Sequence, residues 1–235
     1  MNSMIQTNIE EVKRNIEAAC KKINRDVSEV TLIAVSKTKP VSDIEEAIQA
    51  GMTEFGENKV QELMSKIETI GTDVHWHLIG HLQTNKVKYV VGQKLLIHSV
   101  DSVKLAKELQ KEAEKKQATC DILLEVNVAE EESKYGFTCD EVLPAVMEIA
   151  SYPNLHIQGL MTIAPFVENP EDNRKIFAKL HKLLLDIKMR NIDNVNMNVL
   201  SMGMTNDYMI AIEEGATMVR VGTGIFGARN YNIEG

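Results

Sequence analysis

Apolar residues along the chain recur first at three- and four-residue steps and afterwards in short unbroken runs. Ile5, Ile9, Val12, Ile16, Ala19 and Ile23 fall on one side of a 3.6-residue helix. Charged residues occupy the other side, so an amphipathic helix is predicted over about 2–24. Eight apolar runs follow, at 30–37, 54–58, 75–80, 96–101, 121–128, 156–163, 198–204 and 218–227. Helical spacing fills the gaps between them. The segment 41–51 opens on Ser42 as a candidate cap and closes on Gly51. Another helix is predicted over 101–117, with a mixed charge pattern. A third, over 169–188, carries Ile176, Leu180, Leu183, Leu184 and Ile187 on one face.

Strands that alternate with helices predict a parallel sheet joined by right-handed crossovers. Eight strands also suffice to close a (β/α)₈ TIM barrel, near its usual size of about 250 residues. An open doubly wound sheet is the competing arrangement. It is disfavoured because no GxGxxG turn follows the first strand. No linker or composition shift divides the chain, so the expectation is one domain over 1–235, with the barrel at about 30–229. The final stretch, from Ala228 on, is too short to fold alone.

Composition narrows the class. The 235 residues are 44% apolar and 26% charged, as in an ordinary globular protein, and the net charge is −8. That charge argues against broad nucleic-acid or anionic-membrane binding, which needs a basic face. Cys20, Cys120 and Cys139 form no CxxC pair and read as reduced cytosolic thiols. The N-terminus lacks the apolar core of a secretion signal, and no apolar run reaches about 18 residues. The expected location is the cytoplasm.

A barrel keeps its chemistry at the C-terminal ends of its strands. Lys37 ends the first run there. In an enclosed apolar mouth its amine would lose solvation, titrate lower and attack a carbonyl to form a Schiff base. A strand-end lysine with its head in water is the other reading. After the seventh run come Ser201 and Gly203, then Thr205 and Asn206 where a helix should start. The eighth ends in Gly222, Thr223 and Gly224. Loops after strands seven and eight commonly bind phosphate, glycine allowing close backbone approach and hydroxyls adding donors. Tight turns alone would also use these glycines.

A lysine nucleophile and a phosphate cradle call for a phosphorylated aldehyde. Two fit: pyridoxal 5′-phosphate (PLP), and the sugar phosphate of a Schiff-base aldolase. Arg220 lies on the same strand face as Gly222. Placed at a pyridine nitrogen, this permanent cation would keep the nitrogen unprotonated and the ring a poor electron sink. His75 and His77 have metal-ligand spacing, but further ligands at other strand ends are missing, and His156 starts its strand. No metal is expected. His77 reads instead as a wall or hydrogen-bond partner of an aromatic ligand, Asn58 as an amide for the ligand's hydroxyl, and Met161 as packing on a ring face.

The blocks "AVSKTKP", "FGENKVQE", "WHLIGHLQTNK", "GLMTIAP" and "LSMGMTNDYMIAIEEGATMVRVGTGIFG" together resemble the pyridoxal-phosphate homeostasis protein family, single-domain relatives of the alanine racemase barrel. The resemblance spans about residues 5–229. It implies a monomeric or weakly associating cytoplasmic barrel like the alanine racemase N-terminal domain, with PLP on Lys37. It also implies phosphate held by Ser201 and the backbone of Gly222 and Thr223, and Arg220 facing the ring nitrogen. Asn58, His77, Met161 and Gly203 would line the site. The family is thought to buffer and deliver the cofactor, with apo PLP-dependent enzymes as recipients, and to have no turnover reaction of its own. Racemases carry a second, β-rich domain that supplies a tyrosine base. This sequence stops after the eighth run, so racemase activity is not expected. Lys134 reads as a solvated loop charge.

Overall fold

The structure is a computed structural model that describes residues 3–71 and 73–228. Eight strands, β1 (Thr31–Val35), β2 (Glu54–Glu57), β3 (His75–Leu78), β4 (Leu95–Val100), β5 (Cys120–Glu125), β6 (Leu155–Met161), β7 (Val195–Met204) and β8 (Met218–Val221), pair in chain order. All neighbours run parallel, and β8 closes on β1, so the sheet is a closed barrel. Helix α1 (Met4–Lys22) precedes the barrel. Helices α2 (Val41–Gln49), α3 (Val60–Ile70), α4 (Val87–Val90), α5 (Val103–Lys116), α6 (Cys139–Ile149), α7 (Arg174–Lys188) and α8 (Tyr208–Glu213) cover it, and α9 (Thr223–Phe226) follows β8.

Side-chain parity divides the interior into two layers. Leu32 and Ala34 of β1, Phe55 of β2, Trp76 of β3 and Ile122 and Leu124 of β5 point outward into one apolar layer shared with the helices. Ile33, Val35, Leu123 and Met161 are equally buried but lie outside that layer, in the barrel lumen. They share the lumen with polar side chains. His77, His98, Ser201 and Arg220 are all buried. A TIM barrel usually fills this space with branched aliphatics, so four polar groups here mark the part of the fold that packing alone does not explain.

Helix α1 buries the predicted stripe of Ile5, Ile9, Val12, Ile16 and Ala19, and Ser3 caps it by accepting from Gln6 N–H at 3.1 Å. Ile23 falls beyond the helix and is exposed. The helix lies against α8 and α9. There the Asn8 amide donates to Ile225 O at 2.9 Å and the Asn15 amide to the Tyr208 hydroxyl at 3.0 Å. The extra N-terminal helix therefore braces the segments that follow β7 and β8.

Several boundaries differ from the sequence expectation. Strand β1 stops at Val35, two residues before Lys37, and β8 stops at Val221 because Gly222 turns the chain into α9. Ser42 is not a cap: α2 begins at Val41 with Pro40 in the cap position. Ser102 does cap α5, accepting from Leu105 N–H at 3.2 Å. Arg229 and the residues after it, including most of the C-terminal stretch, lie outside the described residues.

Candidate functional site

The C-terminal rim gathers most of the groups expected there. Ser36 follows β1 and turns outward. Its hydroxyl donates to Glu57 Oε1 at 2.5 Å, and its carbonyl accepts from Lys66 Nζ at 2.8 Å. Lys66, on α3, also pairs with Glu57 and Glu62, both at 2.7 Å. Thr38 adopts a positive φ of 63° and donates its N–H to Glu62 Oε1 at 2.6 Å. Lys39 reaches Phe226 O at 3.0 Å. Lys37 thus sits half-buried in a four-residue turn that is clamped on one flank by α3 and on the other by the end of α9. Asn58, just past β2, is half-buried at the same rim, and Met161, the last residue of β6, is fully buried in the lumen beside Ser201.

The cradle is built around Thr205, which the sequence placed after the seventh run without giving it the central part. Thr205 Oγ1 lies 3.3 Å from the backbone N–H of Gly222, 3.3 Å from the N–H of Gly224 and 3.3 Å from the Thr223 hydroxyl. Two amides and two hydroxyls therefore converge at the start of α9. Packing does not demand glycine at 222. A Cβ there would meet Val35 Cβ at 3.4 Å and Val35 O at 3.5 Å, ordinary contacts, and φ is −109°. The missing side chain instead leaves the approach to these donors bare, so that the N–H groups now turned on Thr205 Oγ1 can be shared with a ligand, which suits an anion.

Three expected assignments move. Ser201 is fully buried and belongs to Arg220, not to the cradle: its oxygen accepts from Arg220 Nη1 at 2.5 Å and lies 2.9 Å from His98 Nδ1. Gly203 has φ of 92°, and a Cβ would come within 2.5 Å of Ala211 Cβ, so it admits α8 against β7 and does not line the mouth. His77 faces the lumen below the rim, bonded to Glu54 at the N-terminal end of β2 (2.8 Å) and to His98 (2.9 Å). The reason is common to all three. Parity tells inward from outward but not depth along the barrel axis, and a left-handed glycine breaks the parity count.

Arg220 is held by Ser201 below and by Thr162 O at 2.8 Å. Burial pushes its pKa down to about 10, opposed by the nearby carboxylates of Glu125 and Asp207, so the guanidinium stays charged at neutral pH. Glu125 closes β5 in the same lumen. Burial, and then repulsion from Asp101, raise its pKa to about 7, against the pull of Arg220 and of exposed Lys134. The native state therefore keeps a proton on Glu125 that the unfolded chain releases near its ordinary value of about 4.3. Stability from this group is present at low pH and lost as pH rises toward 7. Replacing Glu125 by Gln is expected to raise the melting temperature at pH 8, by up to ~3 kcal/mol of stability, and to change little at pH 4. Thermal melts of the two apo-proteins across that range check it, and parallel curves would refute it.

An eight-stranded α/β barrel with an amine turn, a buried arginine and an amide–hydroxyl cradle on one rim defines the class: a barrel arranged to hold an anionic ligand at the C-terminal ends of its strands. The chain belongs to the family of the alanine racemase N-terminal domain, which it matches over residues 7–230. It is 44% identical to the pyridoxal phosphate homeostasis protein of Aquifex aeolicus, over 94% of this chain and 96% of the relative. Among solved structures it resembles a protein of unknown function from Bifidobacterium adolescentis, with TM-score 0.91 and 35% identity over 95% of this chain and 94% of the other. It also resembles PipY of Synechococcus elongatus with PLP bound, with TM-score 0.78 and 32% identity over 91% of this chain and all of that one. Among the described residues, no helix is long and apolar enough to cross a membrane.

Proposed function

We propose that this chain binds PLP through a Schiff base on Lys37 and acts in the cytoplasm as a monomeric carrier and buffer of the cofactor, with no turnover reaction of its own. The observation that carries the reading is the cradle: two amides and two hydroxyls meet at Thr205, with Gly222 left bare where no neighbour requires it. The PLP-bound PipY relative and the name of the Aquifex relative support it.

PLP, when bound, supplies a reactive aldehyde on a conjugated pyridine ring. Lys37 would supply the amine for the Schiff base with that aldehyde, water being the leaving group. Thr205, Thr223 and the N–H groups of Gly222 and Gly224 would hold the phosphate. Arg220 would face the ring nitrogen and, having no acceptor atom, leave it unprotonated. Met161 and Asn58 would wall the ring. A ring kept from acting as an electron sink fits a carrier better than a racemase, and apo PLP-dependent enzymes are the fitting recipients.

Added PLP is expected to give the purified protein a visible absorption band. Thr205→Val should weaken uptake roughly tenfold, the loss of one hydrogen-bonding hydroxyl to a charged group. Loaded protein mixed with an apo-enzyme and a trap for free cofactor should still restore the enzyme. Failure of wild-type protein to develop the band in excess PLP overturns the reading, and failure to restore activity past the trap overturns the carrier role.

A further inference from the structure

A continuous hydrogen-bond chain runs through the barrel lumen from one rim to the other. It starts at Arg220, passes Ser201 at 2.5 Å, His98 at 2.9 Å and His77 at 2.9 Å, and ends on Glu54 Oε2 at 2.8 Å. Its members come from β8, β7, β4, β3 and β2. Ser201 and His98 are fully buried, and Arg220 and His77 nearly so. Glu54 stands at the N-terminal end of β2, the rim opposite the cradle. There its second oxygen pairs with His75, which is 62% exposed.

The two ends fix the direction of every bond between them. Arginine can only donate, so Ser201 Oγ accepts from it. A carboxylate can only accept, so His77 donates from Nε2. His98 is fully buried, and burial above all holds its pKa well below the ordinary imidazole value, so the ring is neutral. A neutral ring has one donor and one acceptor. The Ser201 hydroxyl, already accepting from Arg220, has His98 Nδ1 as the acceptor for its own proton. His98 therefore donates from Nε2, and His77 Nδ1 accepts. All four protons point from the arginine toward the carboxylate, and none is left over. Glu54 keeps its negative charge: burial works to raise its pKa, but the hydrogen bonds from His77 and His75 outweigh this and hold it below the usual range.

We propose that Glu54, His77 and His98 are positioning residues for Arg220, and that the carboxylate on the far rim sets the direction of this chain and so the aim of the guanidinium at the ligand's ring nitrogen. This rests on the PLP reading given above. None of the three residues would touch the ligand. Without the carboxylate, His77 can take the opposite tautomer, His98 follows, and Ser201 then receives two donors while its own proton has no acceptor. Arg220 loses its fixed seat.

Histidine-selective ¹⁵N labelling of the apo-protein tests the chain without any cofactor, since only six histidines contribute signals. Wild type is expected to show His98 and His77 as neutral rings protonated at Nε2. Glu54→Leu should convert His98 to a mixture of tautomers. In the loaded protein it should also displace the visible band and weaken PLP uptake by roughly tenfold. His75→Ala, which removes the other partner of Glu54 and leaves the chain whole, should change neither reading. The proposal is overturned if wild-type His98 carries its proton on Nδ1, or if Glu54→Leu leaves the His98 pattern and the band where they were. A wild-type protein that takes up no PLP would sink the cofactor reading alone, because the ring-nitrogen signals of the apo-protein still decide the chain.

Discussion

Lys37→Ala protein is expected to show no visible band with PLP and, after borohydride reduction, no mass adduct, whereas the wild type gains one cofactor per chain. The expectation follows from where the amines near the rim sit. Lys66 is buried against Glu57, Glu62 and the Ser36 carbonyl. Lys39 holds the end of α9 through Phe226 O. Lys134 is exposed on the loop after β5. Lys37 sits half-buried within the clamped turn after β1, on the rim that carries the cradle. Lys37→Arg keeps the positive charge but cannot condense with a carbonyl, so it should lose the adduct as completely as Ala does. Both variants should retain weak, reversible affinity through Thr205, Thr223 and Gly222, which equilibrium dialysis would read. An adduct that survives Lys37→Ala would assign the chemistry to a different amine and leave the clamped turn without its proposed purpose.

The alternation of apolar runs with helical stretches made the closed barrel legible, because strand parity and strand count are one-dimensional properties. The position of Lys37 at a strand end was legible for the same reason. Depth was not. Ser201 and Thr205 are four residues apart near the end of one strand, both hydroxyls, yet one is sealed beneath Arg220 while the other meets the α9 amides. The left-handed Gly203 between them turns the chain, and no parity rule carries across such a residue. His98 gave a weaker signal. It is a polar residue inside the run 96–101, followed by Ser99, and its meaning appears only when β4 is set beside β3 and across from β7. Lys66 gave none: on a helical wheel it reads as an ordinary surface charge, and only the fold buries it.

Lys66→Met is expected to cost about 3–5 kcal/mol of stability, the usual result of removing one partner from a buried ion pair. For a chain of this size that lowers the melting temperature by roughly 10 °C. Glu57 is the cause. Its side chain is fully buried, and burial already raises its pKa above the ordinary value in spite of the bonds from Lys66 and Ser36. With the ammonium gone, the folded chain must keep a proton on Glu57 that the unfolded chain releases above about pH 4. The variant's stability should therefore fall as pH rises past that point, more steeply than the wild type's. The paired change Glu57→Leu with Lys66→Met should recover most of the lost stability, because apolar residues of similar volume replace a buried ion pair at little cost. It should not recover full PLP affinity, since the Ser36 carbonyl still lacks its donor and the turn that holds Lys37 keeps only the Thr38–Glu62 tie to α3. Stability and ligand placement separate in that one protein. A double variant that regains both would reduce the Lys66 cluster to a packing element, and one that regains only the melting temperature would make it the clamp that sets the lysine.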